Sequence, residues 1–438
     1  MDNLKLRDAD VLTSEIGRIA MAGFPAQTLA WLRDCPWLDA SRARAYARLL
    51  AAAAIAVCFA CMAANALGFN RGANPIGGDF VSFWAASRLA LAGRADLAYD
   101  VAAHWAVQRT VLGPDVGYAA FFYPPPALLL YLPLGRAPYT FSLFVWLAIT
   151  GYAAFRVLRG SWPGLSVGTF LAFPAVTLNA VDGQNGFVST AMIGGGLALL
   201  DRRPALAGAL LGAMVFKPHL AIIVPFALVF SRRWIALAAT AATSLALCAL
   251  SLAVFGVATW SAFLRGSALA RRALEQNMVG YAKMESVFAA ARLLHAPLGV
   301  AWALQSACFV AALAALVLLY RKTRRPDGEA AAIVCATLLA TPFLLHYDLM
   351  LCAIPLCWMT AEGLRAGFAP FEKTALVAVF LLPLVSQIWA SAIGLALAPP
   401  VIAALLILIL RRADARRCGR SVGLRVSEAW RLSPAANR

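Results

Sequence analysis

The sequence predicts an all-α protein, a polytopic transmembrane helical bundle of about 10–12 spans at about 20 residues each. Three observations predict it. Of 438 residues, 62% are hydrophobic and 13% charged, and mean hydropathy is +0.75. A soluble domain carries about 45–50% apolar and about 25% charged residues, so water cannot be the solvent of this much apolar surface. The apolar residues also fall in runs suited to spanning, at 47–68, 234–257, 300–320, 330–345 and 377–398. Finally, the runs are continuous and rich in Ala and Leu, which favours helices over a barrel's alternating strands.

The net charge of +17 does not indicate nucleic acid, because of where the charges sit. Arginines cluster in short segments between apolar runs: Arg202-Arg203, Arg232-Arg233, Arg321-Lys322 with Arg324-Arg325, and Arg411-Arg412, which opens a tail holding Arg416, Arg417 and Arg420. That is the positive-inside pattern. The tail suits contact with anionic membrane lipids, or simply fixes orientation. Of the nine cysteines, most lie inside apolar runs, the Cys58-x-x-Cys61 pair included, and read as buried free thiols. Four scattered histidines make no zinc site, so no metal is expected. There is no Walker loop and no nucleophile elbow.

Three regions follow. Residues 1–46 read as a cytoplasmic N-terminal extension, polar and without an evident cleavable signal peptide. Residues 47–410 form the membrane domain, and 411–438 a basic cytoplasmic tail. With the N-terminus inside, the long polar stretch 69–120 lies outside. After Asp79, the residues Phe80, Phe83, Trp84 and Leu91 fall at helical spacing and Gly93 is a stop. A short interfacial helix is expected there, and a second over 98–112. The run Phe121-Phe122-Tyr123-Pro124-Pro125-Pro126 opens a short span ending before Arg136. Apolar segments follow near 140–155, 163–181, 187–200 and 204–230. The last is interrupted by Lys217-Pro218-His219, as two half-length helices meeting at a polar break would be. The crossings between 121 and 230 stay open, because Arg156 and Arg159 compete with Arg136 for the inside.

Charged groups at membrane depth are costly and tend to mark function. Lys217, one of five lysines, reads either as a functional cation or as the partner of a carboxylate such as Asp182 or Asp348. Asp79 reads as a helix N-cap or as a catalytic carboxylate. His346 and Asp348 resemble an acid/base pair, yet residues two apart on a helix face different ways. Gln184 and Asn185 occupy a glycine-flanked turn that turn chemistry alone explains.

The order of these breaks resembles glycosyltransferase family 87, of the multi-span GT-C class. The resemblance is carried by Asp79-Phe80, by Phe122-Tyr123-Pro124-Pro125-Pro126, by Gly183-Gln184-Asn185-Gly186, by Gly208-x-x-x-Gly212 leading into Lys217-Pro218, and by Thr341-Pro342 with His346-Tyr347. It covers roughly residues 47–410. The class includes polyprenol-phosphate-mannose-dependent mannosyltransferases. The resemblance implies a sugar carried on a polyprenyl phosphate and transferred with inversion; the expected reaction moves a mannose-like hexose to a lipid or glycan hydroxyl, with no cofactor. The resemblance also implies Asp79 as catalytic base; the leaving phosphate needs cationic or hydrogen-bonding partners for its developing charge, for which Lys217 and His346 are the candidates. Tyr123, Gln184, Asn185, His219 and Asp348 are further candidates for binding the donor. The site would face the periplasm or outside of an inner or plasma membrane. A transporter or a non-enzymatic envelope-assembly protein is the alternative. Broken helices with a mid-membrane lysine also suit a transporter, though no internal repeat is evident.

Overall fold

The computed structural model describes residues 26–66, 77–321 and 323–417. Parts of the expected extension, outer loop and tail, with Lys322 and Arg420, lie outside the described residues. Among the described residues every regular element is a helix, and the one β contact is an isolated antiparallel bridge between Met284 and Leu345. Helices are what a lipid-embedded chain must form, since each satisfies its own backbone N–H and C=O groups. Six are long and apolar enough to cross a membrane: Ala40–Ala64, Tyr139–Ser161, Trp234–Glu275, Leu298–Tyr320, His346–Ala366 and Glu372–Ile393. The other apolar helices are shorter.

Polar contacts sort the helix ends into two sets. At one end the carbonyl of Asp182 accepts from the Asp79 N–H at 3.1 Å, and Lys217 reaches Asn185 at 2.9 Å. At the other, Arg233 bridges Asp201 at 3.0 Å and Glu329 at 2.9 Å, and Arg325 reaches Asp201 at 3.2 Å. Trp358 crowds Gly328 there, and Arg412 of the buried pair Arg412–Glu372 bonds the carbonyl of Glu362, one turn further along the helix that carries Trp358. Twelve helical passes connect the two ends among the described residues: 40–66, 139–161, 167–182, 186–199, 204–216, 218–230, 234–255, 298–320, 329–340, 346–366, 372–393 and 398–417. An even count returns the chain to the end where it began. The docking of helix Ala26–Asp34 agrees, since the Phe371 N–H donates to the Arg33 carbonyl at 2.8 Å.

Several expectations are corrected. Pro126–Tyr131 and Leu134–Arg136 are short helical pieces of six and three residues; six residues rise only about 9 Å, so this segment is no span. Tyr139–Ser161 follows it instead, with Val157 against Gly194 and Gly195. That places Arg156 and Arg159, rather than Arg136, toward the end that holds Asp201. Residues 204–230 are not one broken span. Pro204–Ala213 and Val224–Phe230 form a hairpin, because Arg233 returns to Asp201. Lys217 therefore sits at the hairpin's tip. The close approach Gly208-x-x-x-Gly212 allows is used against the carbonyls of Ala236 and Thr240.

The two helices expected in the stretch 69–120 stand there, as Phe80–Leu91 and Val101–Leu112. However, Phe80–Leu91 is enclosed almost all round, with Ser82 and Ser87 buried as well as Phe83 and Trp84. It is a core helix rather than one lying on a lipid surface. Trp234–Glu275 bends at Gly256, whose φ of 77° suits glycine. Its second half reaches the loop that follows Phe80–Leu91, where the Tyr99 and Phe263 rings are 5.7 Å apart. At the other end, Ala398–Arg417 runs unbroken through the start of the expected tail. Arg412 is buried there, bonded to Glu372 and to the carbonyls of Glu362 and Gly367, so it does not face lipid.

This arrangement makes topology testable. In a variant freed of reactive native cysteines, Asp115→Cys and Arg324→Cys should label from opposite sides of sealed vesicles, since the twelve passes put them at opposite ends. Labelling of both from one side would contradict the arrangement.

Candidate functional site

The site is assembled where four stretches of chain converge: the start of Phe80–Leu91, the turn 182–186, the segment 281–286, and the break 341–348. The first two are locked together by backbone bonds. The Gly77 N–H donates to the Val181 carbonyl at 2.7 Å, alongside the Asp79–Asp182 bond. Gly183 makes this possible. Its φ is 69°, and a Cβ there would stand 2.5 Å from Cβ of Phe80.

Asp79 occupies the N-cap position, but its side chain makes no capping bond. Its Oδ2 accepts instead from Gln184 Nε2 at 2.7 Å. The carboxyl is thus held by one neutral donor and is partly exposed. Surrounding protein pushes its pKa above the ordinary carboxylate value, with the nearby Asp182 charge adding to the effect; Gln184, His346 and Lys283 act against it. Beside it, His346 Nε2 lies 3.2 Å from Asp182 Oδ2, with side-chain exposures of 13% and 31%. His346 Nδ1 is buried with no hydrogen-bond partner. Asp79, Asp182 and His346 therefore form an accessible polar cluster.

Beneath it lies a sealed one. Lys217 Nζ pairs with Asp348 Oδ1 at 2.5 Å, at exposures of 3% and 1%. The ammonium also donates to Asn185 Oδ1 at 2.9 Å and lies 5.0 Å from the Tyr347 ring. Asn185 Nδ2 in turn donates to the hydroxyls of Tyr123 at 2.8 Å and Tyr131 at 3.0 Å. Of the two readings the sequence leaves for Lys217, the structure displays the carboxylate pair. The Gln184-Asn185 turn joins the clusters, one amide reaching up to Asp79 and the other down to Lys217. His346 and Asp348 do face different ways, toward Asp182 and Lys217. His219 is set apart from these bonds. Its ring stands edge-on to Phe343, with centroids 6.1 Å apart, and Nε2 is unpartnered.

Three residues absent from the sequence reading as site members belong here. Asp182 is the partner of His346. Glu285 is buried, accepts from Ser386 Oγ at 2.5 Å, and donates its N–H to Leu344 at 2.8 Å. Burial pushes its pKa up to about 7, against the Ser386 bond and His346. Lys283 is exposed and within electrostatic reach of Asp79. The one signal for it in sequence is that lysines are rare in this chain. The histidine of helix Val101–Leu112 is structural. His104 is fully buried, with Nε2 3.0 Å from the Ser82 carbonyl and Nδ1 3.1 Å from Gln108 Nε2. An Nε2–H tautomer satisfies both contacts, and burial holds its pKa down to about 4. Among the described residues no cluster of His, Cys, Asp and Glu could hold a metal.

A sequence model of glycosyltransferase family 87 matches residues 121–342. No curated protein and no solved structure matches the chain.

Proposed function

The chain belongs to glycosyltransferase family 87 and is a membrane glycosyltransferase, and on that premise we propose that it moves a mannose-like hexose from a polyprenyl-phosphate donor to a hydroxyl of a lipid or glycan. In this reading the site lies on the periplasmic or outer face of the cell's inner or plasma membrane. The observation that carries the mechanism is the Asp79 carboxyl, partly exposed, held by a single neutral donor and not used as a cap. Asp79 takes the proton of the acceptor hydroxyl, and the hydroxyl oxygen attacks the anomeric carbon. The bond from that carbon to the phosphate oxygen breaks, its electron pair leaves with polyprenyl phosphate, and the anomeric centre inverts. His346, fixed by Asp182, meets the donor's polar head. Gln184 orients the base. Asn185, Tyr123, Lys217 and Asp348 hold the turn that carries Gln184.

A lipid-borne donor also suits the surroundings. An aromatic cavity of about 140 Å³, lined by Tyr99, Tyr118, Phe121, Phe122 and Phe263, opens close to Tyr123 in the chain. Apolar walls of this kind suit the isoprenoid part of such a donor.

The test is sugar transfer by purified protein in nanodiscs, offered radiolabelled polyprenyl-phosphate mannose or glucose with a mixed lipid and glycan acceptor extract. Label should pass to an extractable acceptor. Transfer from nucleotide sugars alone would sink the donor assignment.

A further inference from the structure

We propose that Lys283 is the residue that binds the donor's phosphate and stabilises it as it leaves. The proposal rests on the lipid-phosphate donor reading above. It concerns a residue on a stretch of chain that the Asp79, Gln184 and His346 contacts do not involve.

Three observations support it. The first is placement. Lys283 ends the turn Tyr281–Lys283, which is pinned on both sides. Upstream, Asn277 Oδ1 accepts the Tyr281 N–H at 2.5 Å. Downstream, Met284 bridges to Leu345, and the Glu285 N–H bonds the Leu344 carbonyl at 2.8 Å. The turn is therefore stitched to the residues just before His346, and the ammonium comes within electrostatic reach of Asp79.

The second is availability. Lys283 is exposed, and its ammonium makes no hydrogen bond or ion pair with a described residue. Lys217 is already neutralised by Asp348 and walled off at 3% exposure. An incoming phosphate could engage Lys217 only by breaking a buried ion pair. The third is that His346 keeps a buried ring nitrogen without a partner in the same neighbourhood. The site thus offers one exposed cation and one fixed imidazole.

The chemistry needs such a cation. A polyprenyl-phosphate sugar is a phosphodiester with a single negative charge. When the sugar–oxygen bond breaks, its electron pair stays on the phosphate, which becomes a doubly charged monoester. A cation beside that oxygen gains attraction as the bond breaks, so it lowers the barrier as well as binding the ground state.

The experiment compares Lys283→Gln and Lys283→Arg with the parent in nanodiscs, each normalised to folded protein. One arm measures binding of a polyprenyl monophosphate by intrinsic tryptophan fluorescence. The other measures transfer at saturating donor. Lys283→Gln should bind the monophosphate at least tenfold more weakly and lose roughly 100- to 1000-fold in transfer, the scale for removing one charge-stabilising group. Lys283→Arg, which keeps the charge, should recover most of the binding. Parental binding and rate in Lys283→Gln would overturn the proposal, as would equal losses in both variants. If the parent transfers nothing from lipid-phosphate sugars, the donor reading fails. The binding arm still decides whether Lys283 holds a phosphate.

Discussion

Lys217→Met should be recovered in low yield and unfold far more readily than the parent. The ammonium and the Asp348 carboxylate meet at 2.5 Å in a region almost without solvent. Removing one partner of a buried pair leaves the other charge uncompensated, which costs about 3–5 kcal/mol. Lys217 also holds Asn185 at 2.9 Å, so its loss should loosen the turn carrying Gln184. Lys217→Met combined with Asp348→Asn should regain most of the stability, because no charge is then stranded. The amide oxygen introduced by Asp348→Asn can still accept from the Leu345 N–H, as Asp348 Oδ2 does at 3.4 Å. Lys217→Arg should also destabilise, since a forked guanidinium is bulkier than the sealed site allows. Thermal unfolding in detergent, followed by intrinsic fluorescence, reads all four proteins. If Lys217→Met is as stable as the parent but no longer binds polyprenyl phosphate, the lysine is a ligand cation and the pair's structural role is wrong.

What the sequence made legible is what depends on local pattern. Apolar runs near spanning length became helices at Leu298–Tyr320 and Glu372–Ile393. The run predicted to end at 257 bends at Gly256. The polar breaks at 182–186, at Lys217-Pro218 and at 341–348 all reach one end of the molecule, so the residues quoted for the family resemblance largely meet in space. Three things were not legible. Hydropathy cannot distinguish a kink from a reversal, so the hairpin within 204–230 looked like one long broken helix. A run of Phe, Tyr and Pro suits the membrane interface and a packed corner equally, so Pro126–Tyr131 passed for a span. Ion pairing joins distant positions: for Lys217 the sequence left Asp182 and Asp348 both open, and the structure pairs it with Asp348, 131 residues away. No periodicity foretells which carboxylate a lysine will find. Lys283 was missed for the same reason. Its neighbourhood is created by the bridge between Met284 and Leu345.

Asp79→Asn should fold, insert and bind donor as the parent does, yet transfer sugar about 100-fold more slowly or worse, the usual scale for losing a general base. The structure sharpens this substitution in two ways. The carboxyl makes no capping bond, so no helix-capping energy is at stake. Its one side-chain bond is accepted from Gln184 Nε2 at 2.7 Å, and the amide oxygen of asparagine accepts that hydrogen equally. The volume and the bond survive, and only the ability to take a proton is lost. Asp79→Glu keeps the charge but moves it, and about 1 Å of misplacement can cost 100-fold. Asp79→Ala should differ little from Asp79→Asn in rate, and should leave the Gln184 amide without its partner. A pH profile adds a readout that a structural role would not move. A base works only when deprotonated, so transfer should fall as pH drops through the pKa of Asp79. Burial and the neighbouring Asp182 hold that pKa above the ordinary carboxylate value, so the acid limb should lie at higher pH than a free aspartate would give. Asp79→Asn should abolish that limb along with the rate. Near-parental transfer by Asp79→Asn, or an unchanged acid limb in its residual activity, would show that another group takes the proton.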